Sequence, residues 1–445
     1  MKKLSILTTI LAVAILSGCV KELKPDSTGN DNALSATAKP APPPPVPFLQ
    51  WQYCFGSSAN DFGYSIAGNS AAYFIAGYTE GNNGNVSGNH GGQDALVIKT
   101  GLDGLSAWQN AKAIGGTGSD QANAIVATSD GGCLVAGQTY SNDGDVIGNH
   151  GGGDALLVKL SSSGAIEWEK TIGGSGYDRA WALITTADGG YALAGQTSSS
   201  DGDLAGVPGS AVNNNSKVWL VKFNNATNIE WQTTIAFDGA KDDVGYSITE
   251  AADHGFTIAG RTLSMDNNAD ICVANVNSSG SVIWRKTIGS NGGSGDVAWG
   301  VATCPANDGY VLTGYTAAYS LIVAKFYNNG DPSWQKIFAG STSGGLQGKA
   351  ILPNSQGYLI TGVTSSKSGD IIASKGSDDM FALQIDASGN KIDCRVLGGK
   401  GYDMSRAVLA SADGSYVGTG QTDSNNGDVS GNHGLWDVWL VKFKF

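Results

Sequence analysis

Three near-identical segments hold most of the side chains in this sequence that are able to do chemistry. Gly81–Gly91, Ser141–Gly151 and Ser424–Gly434 are runs of Asn, Asp and Gly that each end in Asn-His-Gly, which places Asn89 with His90, Asn149 with His150 and Asn432 with His433. Shorter relics survive at Ser200–Asp203 and Ser368–Asp370. Oxygen-rich side chains alternating around glycine suit a hard cation that wants six to eight oxygen ligands, so Asp143, Asp145 and Asp428 are candidate ligands of a structural Ca²⁺. The acidic twelfth position of an EF-hand loop is missing, and the other reading is a loop hydrogen-bonded to itself. Zinc would need ligands converging on one point, whereas these histidines lie in separate segments with no cysteine beside them; the fourth, His254, sits in an Asp-His-Gly turn.

A second recurring group is acidic. Asp61, Asp120, Asp178, Asp243, Asp296 and Asp403 hold the same place after a glycine-rich link, with Gln347 in the remaining copy. If the strands that follow are innermost in a ring, the six carboxylates surround a channel mouth and offer a cation or polyol site. Alternatively, each closes its own turn by accepting backbone amides. Aromatics that break the repeat, Tyr78, Tyr140, Tyr315, Tyr319 and Trp436, are candidates for a sugar platform because they fall at or near loop ends. Nothing supplies a nucleophilic triad, a dinucleotide fingerprint or a helix N-terminus after a glycine loop that would cradle phosphate.

These residues are positioned by a repeat. Trp51, Trp108, Trp168, Trp231, Trp284 and Trp334 head six copies of one motif and Cys394 heads a seventh, with spacings from 50 residues (Trp284 to Trp334) to 63 (Trp168 to Trp231). A fixed period over such a length means one continuous core rather than several domains. Each unit holds four short runs rich in β-branched and aromatic residues; in the third copy these are 166–172, 180–185, 191–197 and 218–223. Seven four-stranded antiparallel units without helices predict an all-β, seven-bladed propeller, an architecture that leaves only short, protected sheet edges. Either each blade begins with its Trp strand, or the N-terminal Trp51 strand completes the last blade beside residues 438–443. The second is favoured, because the Gly-Gly-Ser-x-x-Asp link is the longer connection expected between blades. Antiparallel pairing then puts the tight turns on one plain face and both long connections on an elaborated face, where binding residues belong.

The Trp, Gly-Gly, Asp-Gly-Gly-Tyr and Leu-Val-Lys elements over residues 48–445 resemble the β-propeller repeats of secreted and surface proteins of Bacteroidota, a likeness that implies a fold and no single activity. At the N-terminus, Lys2 and Lys3 precede an apolar run to Leu16, too short and wrongly flanked for a membrane span, so residues 1–18 read as an export signal. Leu16-Ser17-Gly18-Cys19 resembles a bacterial lipobox, which implies cleavage before Cys19 and its acylation. With Val20 following, the resemblance implies an outer-membrane lipoprotein of a Gram-negative bacterium, facing the periplasm or the cell surface. Residues 19–47, with prolines from Pro40 to Pro47, form an extended stalk.

A net charge of −12 excludes nucleic acid and anionic lipid surfaces as partners. The five cysteines beyond Cys19 fall in different copies, which is no disulfide framework. The expected function is a membrane-anchored binding or scaffold module for a glycan or a protein. The alternative is a polysaccharide-active hydrolase or lyase, which would need two carboxylates or a Tyr/His pair within catalytic distance on the elaborated face.

Overall fold

A computed structural model describes residues 47–108, 111–209, 215–237, 240–264, 268–289, 295–340, 345–371 and 375–445. The export signal, Cys19 and, but for Pro47, the stalk lie outside the described residues. The chain forms seven antiparallel sheets whose innermost strands are Asp61–Gly68, Asp120–Ala127, Asp178–Thr185, Ala240–Glu250, Val297–Thr303, Leu346–Asn354 and Asp403–Ala410. Each inner strand touches the next, and the last touches the first, so the sheets close into a ring of blades. The third blade continues through Tyr191–Thr197, Lys217–Phe223 and Ile229–Ile235, and the others follow the same order outward. Blade 1 gains a fifth, two-residue strand, Val86–Ser87, parallel to its outer strand Ala111–Ile114.

The ring is closed by the N-terminal strand. Leu49–Phe55 pairs antiparallel with Asp437–Phe443 as the outermost strand of blade 7, and Trp439 Nε1 donates to Gln52 Oε1 across that seam at 3.0 Å. The repeated tryptophans therefore lie on outer strands or, as Trp108 does, just before one. From there Trp108, Trp231, Trp284 and Trp334 donate their indole N–H to the carbonyls of Ser162, Ser278, Asn328 and Ala387 in the next blade's hairpin turn, at 2.9–3.2 Å. Each indole lies over a turn glycine with positive φ, Gly164, Gly280, Gly330 or Gly389, where a Cβ would come within 2.7–2.9 Å of the ring. Between blades the gaps fill with aliphatic rows from two sheets, as where Leu157, Leu193, Trp219 and Val221 meet.

On the plain face, third-strand lysines reach the turn aspartates: Lys159 to Asp130, Lys222 to Asp188, Lys325 to Asp308 and Lys442 to Asp413, at 2.7–2.8 Å. Cys54, Cys133, Cys272 and Cys304 are buried and none of the five is paired. Burial pushes the Cys133 thiol up to about 12, which removes its thiolate reactivity.

Every inner strand carries a β-bulge at its fourth position from the acidic link. Pairing slips around Tyr64, Asn123, Trp181, Tyr246, Trp299, Lys349 and Arg406, each flanked by Gly, Ala or Ser on both sides. An extra residue in one strand of a pair bends the strand and re-aims a side chain. Opposite each bulge stands a glycine, Gly77, Gly137, Gly195, Gly260, Gly314, Gly362 or Gly420, at which a Cβ would fall 1.6–1.9 Å from a carbonyl oxygen of the bulged strand. No side-chain rotamer relieves a clash with backbone. Gly362→Ala is therefore expected to cost about 1–3 kcal/mol, the usual scale of overpacking, read as a lowered denaturation midpoint at unchanged slope.

Candidate functional site

The seven bulge residues converge on the axis. Tyr64, Asn123, Trp181, Tyr246, Trp299, Lys349 and Arg406, joined by Arg179, line a central cavity of about 170 Å³. Arg179 stands one residue inside its strand, at the end fed by the long links, so the cavity extends from the bulges toward the elaborated face. One side is an aromatic arc: Trp181 meets Tyr246 edge-on with centroids 4.9 Å apart, and Tyr246 lies 4.4 Å from Trp299. Around it stand three cations. The Arg179 guanidinium lies 3.6 Å over Trp181, Lys349 Nζ 4.2 Å over Trp299, and Arg406 5.2 Å over Tyr64.

A supporting ring holds these groups in place. The residue after each bulge-facing glycine is Tyr78, Gln138, Gln196, Arg261, Tyr315, Val363 or Gln421. Trp181 Nε1 donates to Gln196 Oε1 and Arg406 Nε to Gln421 Oε1, both at 3.2 Å. Arg179 Nη2 donates to Gln121 Oε1 at 2.8 Å and Asn123 Oδ1 at 3.2 Å. Tyr315 lies 5.7 Å beneath Lys349 Nζ.

No acid balances this charge. None of the eight lining residues is Asp or Glu, and Lys349, 9% exposed, has no hydrogen bond or ion pair with any described residue. Burial, with Arg406 adding repulsion, holds the Lys349 ammonium well below the ordinary lysine range. Burial likewise lowers Arg406. Two buried N–H donors, Trp299 Nε1 and Arg179 Nε, lack an acceptor among the described residues. A cation with no counter-ion and donors with no acceptor are costly unless an anion completes them.

The residues singled out from sequence are placed differently. Asp61, Asp120, Asp178, Asp243, Asp296 and Asp403 stand at or beside the start of the inner strands but are buried and turned into the inter-blade links, so they do not surround an open channel mouth. Asp178 accepts from Gly174 N at 2.8 Å, Ser199 Oγ at 2.6 Å and Thr197 Oγ1; Asp120 and Asp403 repeat the pattern with Gly116, Ser141 and Thr139, and with Gly399, Ser424 and Thr422. The reason is length: the glycine-rich link is too short to satisfy its own amides, and the carboxylate does it.

The Asn-His pairs do not converge either. His90, His150 and His433 each give the backbone N–H, and face Nδ1, to the Oδ2 of the aspartate four residues on, Asp94, Asp154 or Asp437. Asn89, Asn149 and Asn432 tie Nδ2 to the carbonyls of Thr79, Thr139 and Thr422. Asp143 accepts from Thr117 N and Oγ1, Asp428 from Gly398 N and Lys375 Nζ, and Asp145 lies 3.8 Å from His90 Nδ1. These loops thus latch onto the links that enter their own blades. Among the described residues no group of three or more His, Cys, Asp or Glu is arranged to hold a metal ion. Of the aromatics, Tyr78 is buried against Phe62 at 4.8 Å, Trp436 stacks on the other side of Phe62 at 5.7 Å, and Tyr140 is exposed beside Tyr177.

Sequence reasoning missed the bulge residues. Their signal was present: three residues after each of the six aspartates a strand built of small residues holds Tyr, Asn, Trp, Tyr, Trp or Arg, and in blade 6 Lys349 stands three after Leu346, which rather than Gln347 takes the aspartate's place in the pairing.

No family model matches the chain, and no curated protein matches it. Solved structures do. The BP39L lectin from Burkholderia pseudomallei superposes with a TM-score of 0.51 at 11% identity, over 86% of this chain and 96% of that one. A chain of the mitotic checkpoint complex also gives 0.51 at 11% identity, over 95% and 99%. The periplasmic gluconolactonase PpgL of Pseudomonas aeruginosa gives 0.47 at 13% identity, over 86% and 99%. At such identities the likeness is one of fold.

The buried carboxyls give stability a defined pH dependence. Burial raises Asp61, Asp94, Asp154, Asp178, Asp243, Asp403 and Asp437 above the ordinary value, against hydrogen bonds that pull the other way. Between about pH 4 and those raised values the folded chain holds more protons than the unfolded one, so these groups make stability fall as pH rises through that window. Thermal melts should show the wild-type midpoint declining from about pH 4 toward neutrality. Asp178→Asn should decline less steeply, by about 1.4 kcal/mol for each unit of elevation removed.

Proposed function

We propose that this chain is a membrane-anchored binding module whose recognition site is the central cavity, and that its ligand is an acidic saccharide. The observation that carries this reading is the set Arg179, Lys349 and Arg406: three cations in one cavity without a carboxylate among the lining residues, inside a protein of net charge −12. An anionic group entering there meets charge-assisted donors already positioned, so little ordering is required on binding. The arc of Trp181, Tyr246 and Trp299 supplies flat apolar surface against which the C–H face of a sugar packs, while its hydroxyls reach Asn123 and the two phenols. The cavity admits a ring-sized group but no folded partner, which favours a glycan over a protein. A shared fold with a lectin is compatible with this reading, and fold alone supports no more. Neither the carboxylate pair nor the Tyr/His pair that the hydrolase or lyase alternative requires is found among the lining residues. Anchoring rests on the Leu16–Cys19 lipobox read from sequence.

Two experiments test these readings. In calorimetric titrations with uronic acids, sulfated sugars and their neutral counterparts, only the acidic members should bind. Arg406→Met and Lys349→Met should weaken binding at least about thirtyfold, since removing one partner of a buried charge pair costs about 2–5 kcal/mol. Lys349→Met should also raise the melting temperature, because it removes a buried cation with no partner. Equal binding of neutral and acidic sugars would refute the assignment. For the anchor, Cys19→Ser should move the full-length protein from the membrane to the soluble fraction and abolish labelling by radioactive palmitate.

A further inference from the structure

The elaborated face has an uneven rim. Between the second and third strands the chain makes long excursions in blades 1, 2, 3, 6 and 7, whereas blade 4 passes from Ser264 to Ala269 and blade 5 from Tyr315 to Leu321 almost directly. Among the fully described connections of this kind, the blade 5 turn is the shortest. The turn stands beside the aromatic arc and Lys349, since Trp299 is the bulge residue of the same blade and Lys349 that of the next.

At this turn a pair of rings leads outward. Lys349 Nζ stands 5.7 Å from the Tyr315 ring, and Tyr315 stacks on Tyr319 with centroids 6.2 Å apart and planes only 4° from parallel. Tyr319 is 59% exposed and has φ +52, a left-handed backbone that a bulky residue adopts at a cost of about 1–3 kcal/mol. The turn fixes it there: Tyr319 N donates to Thr316 O at 2.7 Å, and Tyr319 O accepts from Leu346 N at 2.7 Å. One face of the ring is covered by Tyr315 and most of the rest stands in water, a flat surface continuous with the cavity that a ligand can use.

Building on the reading that the cavity takes an acidic sugar, we infer that the ligand is the end of an acidic polysaccharide. The terminal acid unit occupies the cavity, and the following units leave it across Tyr315 and Tyr319. A free monosaccharide would use the cavity alone and leave Tyr319 unexplained. A polymer uses both, because the Lys349–Tyr315–Tyr319 line is long enough for the units that follow the first. Neighbouring polar groups suit hydroxyls: Arg261, paired with Asp242 at 2.8 Å, is the supporting-ring residue of blade 4 beside this exit.

The test is a length series of oligogalacturonates from one to six units, titrated against the whole protein with calorimetric readout. Affinity should rise over the first two to three added units by about three- to tenfold, the scale of one aromatic stacking contact, and then level off. Tyr319→Asn, which tolerates the left-handed backbone, should remove that rise; Tyr319→Ala should do the same. Arg406→Met should weaken every member of the series alike. If monomer and hexamer bind equally, or the rise survives in both Tyr319 variants, the polymer inference is overturned and the acidic-sugar site stands. If no member of this series and no other acidic sugar binds, the underlying reading falls, and this inference with it.

Discussion

One surplus residue in each inner strand decides what the centre of this molecule contains. Without the bulge, a period-two strand would send its side chains alternately into the gaps on either side, and the axis would see only backbone edges. With it, one side chain per blade is re-aimed at the axis, at the same height in all seven copies. The partner strand makes room with a glycine whose Cβ would overlap a carbonyl. Repetition in the scaffold thus yields seven equivalent positions, and their unlike occupants make an asymmetric site from a symmetric ring.

The electrostatics follow from that placement. Elsewhere the described cations are mostly answered: repeat lysines meet turn aspartates on the plain face, and Arg261 meets Asp242. At the axis they are not. Net negative charge on the body repels anions at long range, though at physiological ionic strength this repulsion is screened beyond about 8 Å. Within that distance the cavity's own cations dominate, and water exclusion strengthens them. Such an arrangement favours a ligand that places an anionic group inside the cavity.

The fold was legible because its signals are local and repeated: tryptophan period, glycine turns and alternating strands survive in nearly every copy. In the third copy the observed strands extend the expected ones by two residues at Asp178 and one at Lys217. The site was harder to read for a physical reason. A regular strand pattern assigns the bulge position to a blade interface, and only the slip in pairing turns it inward. The prominent residues misled for the complementary reason. Asp178 recurs because a short link needs its amides satisfied, and His150 and Asn149 recur in the three blades whose glycine-rich loop needs the same. What recurs in each blade serves the joint between blades.

That division also explains the loops. The long Asn-His segments of blades 7, 1 and 2 spend their polar atoms on themselves and on the adjoining links; Asn83 on Ser58, Asp143 on Thr117 and Asn426 on Lys400 are one contact repeated at 2.8–2.9 Å. They are walls. Blade 3 shows how a departure from the pattern is tolerated. Thr227, with φ +59, replaces the turn glycine that would lie under Trp168, and a cavity of about 110 Å³ opens beside the indole. Lost packing there weakens one joint of seven. The short hairpin of blade 5 is a departure of another kind, since it exposes Tyr319 where a wall would have covered it. A ring held together by many similar joints has stability to spare for one irregular edge.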